Sequence, residues 1–379
     1  MSPVARAEIV VDLAAISHNV GVLVDLVAPT GAQVMSVVKA DGYGHGLVES
    51  ARAARAGGAT WLGVATLDEA LRLRAAGDTG PVLALVPVAD DDWAPAIAAG
   101  VDVTASSPAH LREIAAAVAA VGAPARVQLE ADTGLTRGGA VIADWDELFA
   151  LAREGEDAGS WRVTGLWSHF ACSDEPAHPA NDTQERAFRD AVARADRAGL
   201  RPEVRHLANS AAALLRPSAC FDLVRCGLAS YGLDPAPGHT PDLGLRPAMT
   251  ARTRLALVKQ VAPGDGVSYG HTWIADRATT VGLVPVGYGD GVPRHASNLA
   301  AVAVDGRRRP VRGRVCMDQF VVDLGGDRPE VGDEVVLFGP EPAPSAQDWA
   351  EACGTISYEI VTRIGGRFTR VHRTSGGPR

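Results

Sequence analysis

The chain has 379 residues, of which 47% are hydrophobic and 21% charged, with a formal net charge of −9. That length suits two domains and leaves ample core to bury, and a mildly acidic chain with no long basic run is a poor match for a nucleic-acid partner. Five cysteines (Cys172, Cys220, Cys226, Cys316 and Cys353) without a Cys-x-x-Cys spacing point to reduced thiols in a cytoplasmic protein, with no zinc site and no disulfide framework.

No stretch approaches 18 uninterrupted apolar residues, and Met1–Arg6 has no signal-peptide pattern, so no membrane partner is expected. An N-terminal strand is expected within residues 1–11, packed on the C-terminal part of the chain. Short apolar runs then alternate with Ala-rich amphipathic stretches. The strand candidates are Val34–Val38, Trp61–Ala65, Val82–Val86, Val101–Thr104, Arg126–Glu130, Val163–Ser168, Val204–Leu207 and Leu223–Arg225. Helical patterns fall between them at Leu67–Ala76, Pro108–Val121, Asp144–Ala158, Asp182–Ala198 and Ser210–Leu215. Thr66 and Ser107 are the capping residues expected just before two of these helices. Eight strand–helix units over roughly 230 residues predict an α/β chain with a (β/α)₈ TIM barrel at 12–240. A doubly wound nucleotide-binding sheet is disfavoured because Gly42-x-Gly44-x-Gly46 lacks the G-x-G-x-x-G spacing.

From about Pro241 the pattern changes to short alternating strands: Thr253–Gln260, Thr279–Pro285, Ala301–Val304, Arg309–Arg314, Gln319–Leu324 and Glu334–Phe338. Turns such as Asp305-Gly306 separate them, giving a mostly β domain over 241–379. The densest basic cluster, Arg307-Arg308-Arg309, reads as a solvated hairpin tip, and Ser375–Arg379 as a frayed tail.

Cations are spelled almost entirely as arginine, 34 of them against the two lysines Lys39 and Lys259. A lysine retained in such a background is a candidate for chemistry that a guanidinium cannot do, above all imine formation through a primary amine. On the expected barrel, Lys39 and Tyr43 follow the first strand, Glu130, Asp132 and Arg137 the fifth, and His169 the sixth. Asn209 and Ser210 follow the seventh, with Arg225 and Gly227 at the eighth. All fall at the C-terminal face, where barrel enzymes build their active sites.

Nine segments in order carry a resemblance: Val37-Val38-Lys39-Ala40-Asp41-Gly42-Tyr43-Gly44-His45-Gly46, Asp132-Thr133-Gly134-Leu135-Thr136-Arg137, Gly165–Ala171, Ala208-Asn209-Ser210, Val224–Gly227, Val267–Gly270, Val286–Tyr288, Val315–Asp318 and Thr355–Glu359. Over its whole length the chain resembles the alanine racemases, pyridoxal-phosphate enzymes made of a barrel and a C-terminal β domain. The resemblance implies that Lys39 holds pyridoxal 5′-phosphate covalently and removes the α-proton of the D-substrate. It implies that Tyr269, from the β domain of the other subunit of a homodimer, acts on the L-enantiomer from the opposite face. A phenol with a pKa of about 10 is a weak base unless its neighbours favour the phenolate, a bias that His169 and Arg225 are expected to supply.

By the same resemblance Arg225 meets the pyridine nitrogen and, holding its own proton, leaves that nitrogen unprotonated. A weaker electron sink suits racemisation over transamination. Tyr43, Ser210, Gly227, Leu228 and Tyr358 would cradle the phosphate, helped by the helix start after Asn209, and His169 would lie over the ring. Arg137 and the backbone N–H of Met317 would take the substrate carboxylate. Asp174, Tyr288, Arg294, Arg314 and Ile356 would line the entry corridor.

One position departs from the pattern. Many family members place a carbamylated lysine two residues before Asp-Thr-Gly, where this chain has Glu130. A permanent carboxylate can hold Arg137 as the carbamate does, so activity is expected to be independent of bicarbonate. The shorter stem leaves the substrate less fixed than the reaction type. D-Alanine for peptidoglycan is the first expectation, and serine or another small amino acid in a biosynthetic pathway the second. A non-catalytic cofactor-binding barrel would lack the β domain, and a decarboxylase on this plan would place an acid where Arg225 stands.

Overall fold

The structure is a computed structural model that describes residues 5–374. The expected tail Ser375–Arg379 and residues Met1–Val4 of the expected N-terminal strand lie outside the described residues. Strand β1 (Ala7–Asp12) precedes eight parallel strands: β2 (Gln33–Val37), β3 (Trp61–Val64), β4 (Val82–Ala84), β5 (Asp102–Ala105), β6 (Ala125–Glu130), β7 (Trp161–Trp167), β8 (Val204–His206) and β9 (Leu223–Cys226). They pair in the order β8-β7-β6-β5-β4-β3-β2-β9. Between β8 and β9 the ladder thins to single bonds that close the ring, Asp222 N–H to Arg205 O at 3.0 Å and Arg225 N–H to Ala208 O at 2.9 Å. This is the expected (β/α)₈ barrel.

Its helices start where short polar side chains can satisfy free backbone N–H groups. Thr66 Oγ1 accepts from Glu69 N–H at 3.2 Å, ahead of the helix Leu67–Ala75. Ser107 Oγ accepts from His110 N–H at 3.2 Å, ahead of Pro108–Val121. The helix expected from Asp182 begins earlier, at Pro179, because proline is favoured in a first turn, where no N–H is needed. The first helix and the turn after it, Leu13–Thr30, are long and apolar enough over 18 residues to cross a membrane. Its Ile16, Val20, Leu23 and Val27 are nevertheless buried. Asn19 Nδ2 donates to Arg246 O at 2.9 Å, so the helix is stitched into the wall.

The later strands are β10 (Met249–Arg254), β11 (Leu257–Val261), β12 (Gly266–Val267), β13 (Trp273–Ile274), β14 (Thr279–Val284), β15 (Ala301–Val304), β16 (Arg307–Arg312), β17 (Phe320–Gly325), β18 (Glu334–Phe338) and β19 (Thr369–Arg373). Nine strands form one sheet in the order β11-β14-β17-β16-β15-β18-β10-β1-β19, and β12 pairs with β13. The N-terminal strand is thus built into this sheet, antiparallel to β10 and parallel to β19.

Three expectations need correction. The run Thr253–Gln260 is two strands: Leu255 N–H bonds to Asp333 O and Ala256 N–H to Leu283 O, so the chain turns a corner between β10 and β11. The corner falls in the unbroken apolar run Leu255-Ala256-Leu257-Val258, which holds no glycine, proline or other turn residue to mark it. Arg307–Arg309 begin β16 instead of forming the tip, because Asp305-Gly306 alone, with φ of 49° and 70°, makes the turn. Arg307 and Arg309 pair with Asp327, and Arg308 with Asp348. The β domain also carries two helices that the strand pattern did not reveal, Ala346–Cys353 and Ser357–Arg363.

Two apolar layers hold these parts. Trp145, Phe149, Phe188 and Leu62 pack between barrel and helices, and Ile9, Phe320 and Trp349 pack under the nine-stranded sheet. Each such side chain contributes roughly 1.5–3 kcal/mol on burial. A core of that size needs no cross-links, and all five cysteines are free.

Candidate active site

A cavity of about 920 Å³ opens at the C-terminal ends of the barrel strands. It brings together Lys39, Tyr43, Glu130, Arg137, His169, Asn209, Ser210, Arg225, Gly227, Leu228 and Tyr358, all expected site residues. Ser106, His110, Trp167 and Thr362 also line it, as does the rim Leu85–Pro87 after β4. Trp167 lies within the segment Gly165–Ala171 quoted above, and no sequence motif singled out the others. Their signal is only their place just past a barrel strand or, for Thr362, one helical turn from Tyr358.

Lys39 lies two residues past β2, at the start of an unusual turn. Ala40, Asp41, Gly42 and Tyr43 have φ of 53°, 54°, 64° and 52°, a short left-handed helical turn that costs L-residues roughly 1–2 kcal/mol each. Bonds on every side hold it. Gly42 N–H donates to Val38 O at 2.8 Å and Gly46 N–H to Asp41 O at 2.8 Å. Asp41 Oδ1 accepts from Leu47 N–H, and Arg370 from β19 pairs with Asp41 Oδ2 at 2.7 Å. A Cβ on Gly44 would run into the carbonyl of Val361 on the helix Ser357–Arg363. The turn is therefore gripped by the β domain. Burial lowers the pKa of Lys39, Arg137 and Arg225 lower it further, and Glu69 opposes them. A primary amine near cations in a partly dry site is readied for covalent chemistry.

Arg225, on β9, is 4% exposed and fixed by backbone. Nη2 donates to Ser168 O at 2.6 Å and Leu207 O at 3.1 Å, and Nη1 to His206 O at 3.1 Å. His206 Nε2 lies 2.7 Å from Gln128 Oε1, so Nε2 carries the proton and Nδ1 accepts from Arg225 Nη1 at 2.9 Å. Burial pulls Arg225 down to about 10, opposed by Glu130, which leaves it charged at neutral pH. His169 Nδ1 is 3.1 Å from Arg225 Nη2. Burial and the cations Arg225, Arg137 and Lys39 hold the His169 imidazole neutral.

At the other end of the cavity, Gly227 N–H donates to Ser210 Oγ at 2.9 Å. A Cβ on Gly227 would collide with the Tyr43 hydroxyl, so glycine is required for the phenol to stand beside that backbone. Tyr358, from the β-domain helix, packs on Tyr43 with ring centroids 6.0 Å apart. Burial raises both phenols, which stay neutral donors. A hydroxyl-rich recess around a glycine backbone, a readied amine and a fixed cation between them together fit a phosphate-bearing aldehyde cofactor.

Both halves of the chain match one family: the N-terminal domain of alanine racemase over residues 11–235, and its C-terminal domain over 248–372. The chain belongs to the alanine racemase family. Alanine racemase of Streptomyces coelicolor is 56% identical over 377 residues, covering 97% of this chain and 95% of the relative. That of Thermobifida fusca is 54% identical, covering 98% and 99%. The crystal structure of alanine racemase from D-cycloserine-producing Streptomyces lavendulae superposes with a TM-score of 0.96 at 50% identity, covering 99% of this chain and 98% of that one. Family membership makes the chain an isomerase.

Seven expected residues do not line the cavity. Tyr269 is 71% exposed, Met317 55%, Ile356 60% and Tyr288 41%, while Asp174, Arg294 and Arg314 lie on the surface. The loops bearing Tyr269 and Met317 are firmly joined: Ser268 Oγ donates to Arg314 O at 2.6 Å and lies 3.3 Å from Cys316 Sγ. Tyr288 N–H donates to Cys316 O and Gly289 N–H to Met317 O. Within one chain, then, His169 and Arg225 do not stand beside Tyr269, and the expected bias on its phenol has no source there.

Proposed function

We propose that this protein interconverts L- and D-alanine with pyridoxal phosphate bound at Lys39, and that it supplies D-alanine for peptidoglycan. The observation that carries this reading is the burial of the readied Lys39 amine in one cavity with a clamped, protonated Arg225. Pyridoxal phosphate would supply the electron withdrawal that acidifies the α-proton of an amino acid. Tyr43, Ser210, Gly227, Leu228 and Tyr358 would hold its phosphate, and His169 and Arg225 its ring.

Lys39 Nζ takes a proton from, or returns it to, one face of the α-carbon. Tyr269 Oη of a second copy does the same from the opposite face, which racemisation requires. Arg225 keeps its own proton, so charge stays at the α-carbon and is quenched where it formed. Arg137 and the Met317 N–H of the second copy grip the carboxylate, and Asp174, Tyr288, Arg294, Arg314 and Ile356 border the entry. The exposure of Tyr269 and Met317 on firmly built loops supports a two-fold dimer with shared sites. The free thiols support a reducing, cytoplasmic setting.

An absorbance scan followed by chiral analysis tests the proposal. A visible cofactor band lost in Lys39→Ala, with L- and D-alanine converging on equal amounts, is the expected result. The band without conversion of alanine would move the substrate to serine or another small amino acid, and no band after adding the cofactor would overturn the reading.

A further inference from the structure

Among the described residues, Glu130 is the only carboxylate lining a cavity that also holds Lys39, Arg137 and Arg225. It ends β6 and is 7% exposed. The segment that follows leaves and returns at one neck, where Ala140 N–H donates to Glu130 O at 2.9 Å and Asp132 N–H to Ala140 O at 2.8 Å. Inside the neck, Asp132 Oδ1 accepts from the N–H groups of Gly134, Leu135 and Thr136, curling the loop that carries Arg137. The loop then lies down on the Glu130 side chain. A Cβ on Gly138 would stand 3.2 Å and 3.3 Å from the two carboxylate oxygens, and one on Gly139 would stand 3.1 Å from Glu130 Cγ. Two glycines in a row let backbone rest where side chains would not fit.

What fixes the carboxylate under that loop is Ser106, just past β5. Its Oγ donates to Glu130 Oε2 at 2.6 Å. The serine is itself held, since Ser106 N–H donates to His110 Nδ1 at 3.3 Å and the next residue, Ser107, caps the following helix. We propose that Ser106 is a positioning residue: its hydroxyl fixes the Glu130 carboxylate on which the Arg137 loop is seated, and so sets where the Arg137 cation stands. This deepens the proposed function and rests on its reading of Arg137 as the partner of the substrate carboxylate.

Other groups bear on the same carboxylate. Burial raises the Glu130 pKa, the Ser106 bond, Arg225 and Arg137 lower it, and Asp132 raises it. Lys39, His110 and His169 line the same cavity. A seat that must be ionised to work is lost as pH falls through that pKa. Removing the Ser106 donor takes away a bond to the charged form, so the loss moves to higher pH.

The test measures acetate binding to the cofactor-free protein and the pH profile of kcat/KM in the loaded enzyme, for Ser106→Ala, Ser106→Thr, Glu130→Gln and Arg137→Ala. Ser106→Ala is expected to weaken acetate about tenfold, to raise KM for the amino acid more than it lowers kcat, and to move the acid limb up by about one pH unit. Ser106→Thr restores all three, and Glu130→Gln abolishes that limb. Acetate affinity and acid limb unchanged in Ser106→Ala would overturn the proposal. Unchanged acetate affinity in Arg137→Ala would instead overturn the reading of Arg137 on which it rests.

Discussion

The barrel mouth and the exposed loops of the β domain carry reactive groups in opposite states. At the mouth, Arg225 and Glu130 are buried, and Ser106, Ser168, His206 and Leu207 orient them. On the β domain, Tyr269 and Met317 stand 71% and 55% exposed, although the backbone beneath them is as tightly tied. An exposed, rigidly presented phenol is of little use to a fold unless something comes to meet it. On the proposed reading, the contrast separates a half-site that binds from a half-site that is delivered.

The sharpest way to break this comparison is to remove one group from each half. Lys39→Ala is expected to abolish racemisation, by roughly 10⁴-fold or more, together with the cofactor's visible band. Tyr269→Phe should cost about 10³-fold in turnover and leave the band intact, since it touches only the delivered half. Co-expressing the two inactive variants turns the comparison into a count. In a mixed dimer one site carries both lesions and the other none, so random pairing should restore about a quarter of wild-type activity. No recovery in a chromatographically proven mixed dimer would mean that each chain completes its own site.

Arg225→Lys probes the binding half alone. A single ammonium nitrogen with three donors cannot replace both Nη1 and Nη2, which between them face five acceptors on Ser168, His169, His206 and Leu207, so unfolding measurements should show a loss of about 2–3 kcal/mol. The exposed loops should keep their proteolytic resistance.

A comparable, reversible effect concerns pH. His45 is fully buried, its Nδ1 lies 2.9 Å from both the Gly42 and Tyr43 carbonyls, and burial pulls its pKa from 6.5 down to about 4. The unfolded chain therefore binds a proton that the folded one refuses. The stability tied to a neutral His45 is present above pH 6.5 and is lost as pH falls from there towards 4, by roughly 3 kcal/mol. Denaturant titrations of the wild type and His45→Gln at pH 7.5 and 5 should differ in slope with pH, and equal slopes would refute the assignment.

Most of the barrel and of the cavity at its mouth was legible because periodicity marks strands and because the C-terminal face is a topological address. Lys39, Arg137 and Arg225 are far apart in the chain, yet each follows or ends a barrel strand, and that alone predicts their meeting. Ser106 and His110 were not legible, since a serine before a helix reads first as a cap, and here its neighbour Ser107 is the cap. The corner at Leu255 was hidden because it falls in the apolar run Leu255–Val258, which carries no turn residue. The handedness of the turn after Lys39 was hidden too, since Ala40 and Tyr43, on either side of Asp41 and Gly42, are not residues that advertise positive φ.

That mirror-handed turn also bears on the order of events in synthesis. Eight strands and their helices can close a barrel once residue 226 is available. The lysine's segment, however, is locked by Arg370 on Asp41, a contact spanning 329 residues, and by His372 Nε2 at 2.8 Å from the His45 carbonyl. A ribosome must release β19 before the first loop of the barrel can settle into its working shape. The segment that presents Lys39 therefore takes its final shape only in a nearly full-length molecule.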